Sequence, residues 1–502
     1  MKRFKSITLA RRQAILLSLA AGGAVLGAWI AIPAEGQAPQ PAISRNTPSL
    51  AALLQVADGE ADASPALQRA IDQSAGAIVL PPGTYLLKKT LVVDLARVGF
   101  TSLDGQGVAT LKMVGDGPAL KFVGTHGGTA APESVKPGVW QKERAPLVRD
   151  LEIIGPKVPD EQTAADGIEA DGTMQLTLRG VVIRHVRHAV HLVNRNRNVL
   201  IDGCHLYENS GIGVYYDHVN LHQSNISACH ISYCRQGGIV NRGGDVRNIH
   251  ISGCDIEANM PEGEGTAANI LLDSTGGSVA EVAIVGCTIQ HSMKCANGAN
   301  IRVLGKATWK RMGKETFEQC GHITIADNVL SDVQTNIELR EARGVTITGN
   351  TFWQGYKHNL DLENCTQLVI GNNAMERNPL YGYTSEANNT VVLKNCTDCT
   401  ITALHLHHTL GGKCGLLLED CRRINLTNST LLDCQPVAIM LHNVTDSRIS
   451  DCLIRDDLKP ESRAPALVVT GGKGNMVVDN RLVGQVSLDD PKNHHVEGNY
   501  TK

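Results

Sequence analysis

Aromatic residues make up only 4% of this 502-residue chain, and its charges nearly cancel at a formal −3. The scarcity of rings points to an aliphatic core, and the charge balance excludes the basic surface that a nucleic-acid binder needs. No helical period and no leucine consensus recurs, which removes helical and leucine-rich repeats from consideration. A single Cys-x-x-Cys pair, Cys396 and Cys399, has no second pair to complete a zinc ribbon.

What the chain has instead is glycine, 50 residues of it, and one short phrase used over and over. The phrase runs apolar, any, apolar, any, Gly or Asp, Cys or Asn, any, apolar. It reads Val199-Leu-Ile-Asp-Gly-Cys-His-Leu206, Ile249-His-Ile-Ser-Gly-Cys-Asp-Ile256 and Val345-Thr-Ile-Thr-Gly-Asn-Thr-Phe352. Its sixth position falls at residues 181, 204, 229, 254, 287, 328, 350, 373, 404, 429, 452 and 480, most often 22 to 25 residues apart. Such a spacing, broken by longer gaps, describes a solenoid with loops inserted between coils. Apolar residues alternate with period two inside the phrase, so each phrase is a strand with one buried face, and the whole is a parallel β-helix. A second strand follows each phrase, as in Gly211-Ile-Gly-Val-Tyr215, Asn336-Ile-Glu-Leu-Arg340 and Asn359-Leu-Asp-Leu-Glu363. Cys204, Cys229, Cys254 and Cys287 are expected as buried fillers at the bend, in one column with stacked Asn amides.

The N-terminus carries Arg11-Arg12, an apolar run ending at Ile32, and a small-residue stretch to Ala38. That pattern is similar to a twin-arginine export signal over residues 1–38, with Ala10 in place of the usual hydroxyl residue. It implies a periplasmic or secreted protein that meets the membrane only during export. Folding before export suits 14 cysteines held as thiols rather than disulfides. A Pro- and Ala-rich linker is expected at 39–57, and one β-helix domain at 58–495 with inserted loops at 124–146 and 305–320. Within it Ser64 and Pro65 mark a helix start, and Leu67, Ala70 and Ile71 make one apolar stripe, so a short helix should plug the open end of the solenoid.

Asp58-Gly59, Asp62, the run Ala66-Leu-Gln-Arg-Ala-Ile-Asp72 and Leu80-Pro-Pro-Gly-Thr-Tyr85 together resemble the N-terminal signature of the pectate-lyase-like superfamily. The resemblance spans roughly residues 50 to 490. It implies a right-handed parallel β-helix, all-β, of about 12 or more coils, and it is specific for fold rather than activity. It further implies a binding groove on the outer face of one sheet, a polysaccharide as ligand, and a monomer.

On the second strand, the outward residues form two expected columns. One is His191, Gly213, Val240, Leu271, Arg302, Glu338 and Asp361; the other is Val193, Tyr215, Arg242, Asp273, Leu304, Arg340 and Glu363. Lyases and epimerases of uronate polymers need a base near the C5 proton, a cation on the carboxylate and an acid. Tyr215, Asp217, His218, Arg242 and Asp273 are the candidate catalytic set. Tyr215, Asp217 and His218 are similar to the Tyr, Asp and His grouping of bacterial alginate epimerases, without the Pro found there between Asp and His. Arg302, Glu338, Arg340, Asp361, Glu363 and Trp309 are the candidate substrate-binding residues, Trp309 and its basic neighbours offering a ring and cations to a sugar acid.

Other readings remain open on the residues alone. The acids Glu338, Asp361 and Glu363 could serve a glycoside hydrolase or form an ion-pair ladder, though polygalacturonase signatures are not recognisable in order. A non-catalytic envelope protein that binds glycan or protein along the long face is the rival from another class. His185, His188 and His191 do not share a face, so no metal site is assigned, and no cofactor is required. Ca²⁺ is compatible with the pairs Asp456-Asp457 and Asp489-Asp490, whose spacing specifies no site. Arg184, Arg187, Arg195 and Arg197 form a basic patch that could contact an anionic glycan.

Overall fold

The computed structural model describes residues 53–129, 131–156, 164–305, 308–311, 315–318, 320–377 and 387–501. The export signal and most of the linker lie outside the described residues, as do the side chains of Trp309 and its basic neighbours Lys306, Lys310, Arg311 and Lys314. Among the described residues no helix is long and apolar enough to cross a membrane.

Alternation of apolar residues makes strands here, and the corner between them decides the coil. Gly203, Gly253 and Gly286 take φ of +59°, +58° and +67°, the left-handed turn that splits each phrase into two short strands. Val190–Asp202 ends before the corner, and His205–Tyr207 begins after it. Each coil therefore has three strands: the two halves of the phrase form the first and second sheets, and the strand that follows forms the third. The pairing is parallel throughout this 44-stranded system, with each strand bonded to its equivalent one coil away. This is the right-handed parallel β-helix expected from the repeat.

One inward column of the third sheet runs Val190, Val214, Ile239, Ile270, Ile301, Ile337 and Leu360 in unbroken register. These side chains are at most 1% exposed, and each contributes about 1.5–3 kcal/mol through burial. At the corner, Cys204, Cys229, Cys254 and Cys287 are buried free thiols, and all 14 cysteines are free and buried. The column then changes chemistry. Asn328 donates to Asn350 and Asn350 to Asn373, each at 3.0 Å. A second amide ladder links Asn269, Asn300, Asn336 and Asn359 at 2.8–2.9 Å.

The N-terminal helix is Ser64–Gln73, with Leu67, Ala70 and Ile71 buried as the stripe required. Ser64 is not its cap; Ala63 holds that position. The Ser64 hydroxyl instead donates to Asp62 at 2.6 Å and accepts the backbone N–H groups of Lys88 and Lys89, tying the helix to the following coil. In the 124–146 loop, Trp140 packs on Val135, Val139 and Met174, and the Arg144 guanidinium sits 5.3 Å from the Phe100 ring centre. This loop thus spends its ring and one cation on the barrel. The second insertion forms an antiparallel hairpin, Thr308–Arg311 with Glu315–Glu318.

Candidate functional site

The outward face of the third sheet carries two polar clusters. Its register corrects one coil of the expected columns. Tyr215 pairs with His191 and Val240, and Asp217 pairs with Val193 and Arg242. Gly213 and Tyr215 had been placed two residues too early, because Ile212 looks like the first inward residue of the strand. The inward positions are in fact Val214 and Tyr216, the latter fully buried with its hydroxyl on Ser224 at 2.7 Å. A shift of two preserves the face, so Tyr215 still points outward. Beyond this coil the columns stand as read, with Arg242 beside Asp273, and Arg302, Glu338 and Asp361 in line.

The first cluster begins at Asp166, a carboxylate only 1% exposed. Both nitrogens of the Arg187 fork donate to it at 2.8 Å, the His188 backbone N–H donates at 3.0 Å, and His191 Nδ1 lies 3.1 Å away. Burial alone would raise its pKa; the bonds from Arg187 and His191 outweigh that and hold it well below the usual carboxylate range. The other ring nitrogen of His191, Nε2, lies 3.0 Å from Asp217 Oδ2, and Asp217 Oδ1 lies 2.7 Å from His218 Nδ1. Two carboxylates and two imidazoles thus alternate in a chain that runs from the buried edge of the sheet to solvent, where the His218 side chain is 74% exposed.

Protonation along this chain is set by position. Burial would lower the His191 pKa, but the hydrogen bonds to Asp166 and Asp217 raise it on balance. Asp217 loses solvent too, yet His218 and His191 keep its pKa depressed. His188 has the opposite fate: burial pushes it down to about 4. Its Nδ1 accepts the Ile212 backbone N–H at 3.1 Å, so the neutral ring carries its hydrogen on Nε2. Tyr215 stacks on His191 with rings 5.2 Å apart and 8° from parallel. Burial first, and then the Asp217 charge, push the phenol up to about 12, while Arg242 acts in the opposite sense.

Two glycines make room for the imidazoles. A Cβ on Gly211 would stand 2.6 Å from His188 Nδ1, and one on Gly243 would stand 2.8 Å from His218 Cδ2. Gly243 also has φ of +62°, and His218 itself lies in the left-handed region at +47°.

The second cluster lies further along the same face. Arg302 pairs with Glu338 at 2.7 Å, and Arg340 reaches Glu338 at 3.3 Å, Glu363 at 3.6 Å and Asp361. All three acids are spent on guanidinium groups, which removes the free carboxylate pair that a hydrolase reading required. Beside this ladder a cleft of about 370 Å³ is lined by Arg302, Glu338, Arg340, Lys357, His358 and Asp361. Between the clusters stands an apolar step, Val240 and Leu271, packed with Ile212 and Tyr215. A larger cleft of about 580 Å³ lies over the first sheet, lined by Gln175, Asn198, Gln223, Asn225, Asn248 and His250 among others. Amides dominate its lining.

Of the expected catalytic residues, Tyr215, Asp217, His218 and Arg242 come together over adjacent coils; Asp273 lies one coil on from Arg242, its carboxylate accepting the Thr275 N–H at 2.9 Å. Asp166, His188 and His191 were not in that set. One signal pointed to them: Asp166 and His188 precede register-matched strands at Ile168 and Val190. The basic patch dissolves into private contacts. Arg184 pairs with Glu152 and Arg187 with Asp166, Arg195 donates to the Gly128 carbonyl, and Arg197 is buried on the Asn220 carbonyl and side chain. Asp166, Glu169 and His191 have donor atoms close enough to share an ion, but Asp166 is neutralised by Arg187 and Glu169 by Lys121 at 2.8 Å. The paired acids of the C-terminal coils are also occupied. Asp456 accepts backbone N–H groups of Leu458 and Ala464, Asp457 pairs with Arg455, Asp489 accepts the Gly471 N–H, and Asp490 accepts from Lys492 and Asn493.

Comparison with known proteins agrees with this architecture. The profile of the family described as right-handed beta helix region matches residues 160–308. A second profile, described as periplasmic copper-binding protein (NosD), matches residues 247–409. Curated sequences give no significant match. Among solved structures, tailspike protein 3 of bacteriophage CBA120 is similar at 14% identity over 88% of this chain, with a TM-score of 0.42; this chain covers 60% of that tailspike's length. The tailspike of E. coli bacteriophage HK620, solved with a pentasaccharide, shares 13% identity over 84% of this chain and 77% of its own, with a TM-score of 0.41. The A-module of a mannuronan C-5 epimerase from Azotobacter vinelandii shares 13% identity over 90% of this chain and 98% of its own, with a TM-score of 0.31. These are likenesses of architecture.

Proposed function

We propose that this protein is an exported carbohydrate-active β-helix that acts on an acidic polysaccharide by moving the C5 proton of a uronate residue, as a lyase or an epimerase. The observation that carries the proposal is the alternating chain Asp166, His191, Asp217 and His218, ending at solvent beside Tyr215 and Arg242.

Each group has a role that follows from its environment. Asp217 sits on Nδ1 of His218, which leaves Nε2 as the ring position open to a substrate proton. Arg242, exposed and in register with Asp217, is placed to neutralise the uronate carboxylate, so that charge building up on C5 is stabilised. Tyr215, with its raised pKa, keeps its proton at neutral pH and serves as the acid, for the leaving oxygen in a lyase or for the opposite face in an epimerase. His191 touches no substrate; bonded between two carboxylates, it favours the charged form of Asp217 and fixes its place. The Arg302 to Glu363 ladder and its cleft supply binding further along the same strand of sugar.

The test is incubation of the protein with a panel of uronate polymers, with and without Ca²⁺. Ultraviolet absorbance follows unsaturated products, and deuterium uptake follows exchange at C5. Absorbance that disappears in Tyr215→Phe supports a lyase, and exchange without cleavage supports an epimerase. Neither signal on any polymer sinks the proposal and leaves glycan binding along the long face as the function.

A further inference from the structure

The second sheet, which the acid-base reading does not use, presents another set of titratable groups. Asp255 and Glu257 flank the inward Ile256 on one short strand and point outward together. His230 stands one coil earlier in direct register with Asp255. His230 Nε2 lies 3.6 Å from Asp255 Oδ2 and 3.8 Å from Glu257 Oε1. One donor atom from each of the three lies within 4.8 Å of the others.

These separations are too long for hydrogen bonds, which close to about 2.7–3.2 Å. They suit a different object. With bonds of about 2.0–2.2 Å to nitrogen and oxygen, the edge of a tetrahedron around a metal ion is about 3.3–3.6 Å; the His230–Asp255 separation of 3.6 Å lies at its upper end and the His230–Glu257 separation of 3.8 Å just beyond it. The surroundings agree. Glu257 presents its other oxygen, Oε2, to His291 Nδ1 at 2.9 Å, and His291 Nε2 faces Asp332 Oδ2 at 3.7 Å. The hydrogen bond from His291 to the outer oxygen of Glu257 is how a ligand is held from behind, while Asp332, too far from His291 for a hydrogen bond, adds only its charge. Among the described residues, Asp332 Oδ1 and Asp255 Oδ1 are both shut from solvent without a hydrogen-bond partner, and the Asp332 side chain is only 4% exposed.

We propose that His230, Asp255 and Glu257 bind one divalent first-row transition metal ion, with His291 positioning Glu257 and a fourth coordination place open to water or ligand. An imidazole with two carboxylates suits Zn²⁺, Co²⁺ or Mn²⁺; Ca²⁺ prefers all-oxygen cages of six to eight ligands. The site is separate from the Tyr215 cluster and stands whether or not that cluster is catalytic.

The experiment is calorimetric titration of the full chain, stripped with chelator and free of any histidine tag, with Zn²⁺, Co²⁺, Mn²⁺ and Ca²⁺ in turn. The expected result is about one equivalent of Zn²⁺ or Co²⁺ bound, with Ca²⁺ giving no heat at this site. Glu257→Gln, Asp255→Asn and His230→Gln each weaken binding at least about tenfold, the scale of losing a ligand or its support. His405→Gln, on a distant coil, leaves it unchanged. A visible Co²⁺ band present in the parent and absent from Glu257→Gln confirms the ligand set, and circular dichroism shows that the variants remain folded. No uptake overturns the proposal, as does uptake whose affinity is the same in the parent, Glu257→Gln and Asp255→Asn.

Discussion

The two clusters on the third sheet are built from similar numbers of charges on the same scaffold, yet they differ in what their charges can do. In the ladder from Arg302 to Glu363, every positive group is a guanidinium, which does not give up its proton at any ordinary pH. In the Asp166 to His218 chain, the groups that alternate with the carboxylates are imidazoles, His191 between them and His218 at the end. A guanidinium can only hold; an imidazole can hold or release. On the proposed function, binding falls to the arginine ladder and proton transfer to the imidazole chain.

The sharpest way to break that division is Tyr215→Phe. Turnover should fall by about 10²–10⁴-fold, the range for loss of a proton donor, while thermal unfolding stays near that of the parent. A similar collapse of turnover in an Arg302 variant would dissolve the distinction.

Arg302→Ala should act mainly on stability and binding. The Arg302 and Glu338 side chains are 8% and 15% exposed. Removing the guanidinium leaves a nearly buried carboxylate short of its partner, at a cost of about 2–3 kcal/mol. Denaturant unfolding should report that loss, and kinetics should show a raised KM with kcat largely kept.

Gly243→Ala tests the fit of His218. The left-handed backbone costs about 1 kcal/mol once a Cβ is present, and the methyl group would displace the ring. Turnover should drop about tenfold with an unchanged melting profile shape. Full activity would show that His218 is not the base.

The smallest effects are slopes with pH. The folded pKa of His191 is raised, so its stabilisation is complete below the ordinary imidazole value of about 6.5 and is lost as pH rises through the folded value. His188 is pushed down to about 4, so holding it neutral costs stability progressively as pH falls from about 6.5 towards 4. Relative to the parent, His191→Gln should lose melting temperature on acidification and His188→Gln should gain it, while Arg302→Gln runs parallel. Melting curves from about pH 8 to 5 decide; equal tilts for both histidines would contradict the assigned environments.

The amino-acid sequence made the solenoid legible because one buried face per strand leaves a period that loops interrupt without erasing. It also placed Arg302, Glu338, Arg340, Asp361 and Glu363 on one face, since their strands read Ile-x-Val, Ile-x-Leu and Leu-x-Leu without ambiguity. Around Tyr215 the same logic slipped by two. Ile212 and Val214 compete for the first inward place, and only the pairing of Val214 with Val190 and Ile239 resolves them. A bend was expected at the cysteine position, where two outward residues separate Ile201 from Cys204, but not the left-handed Gly203 that ends one strand and starts another in the next sheet. Asp166 and His188 sit in turns, outside any alternating pattern; their shared place two residues before Ile168 and Val190 marks them, but their importance depends on contacts between coils.

The apolar step of Val240 and Leu271 has a consequence for how such a surface changes over time. Each rung adds about 4.8 Å to the column, and each rung rests mainly on its two neighbours. The distance from the Tyr215 cluster to the arginine ladder is therefore a whole number of rungs. Duplicating or deleting a coil at this step would lengthen or shorten it by that increment and by nothing smaller, so the reach between the two clusters is adjustable only in units, like the marks on a ruler.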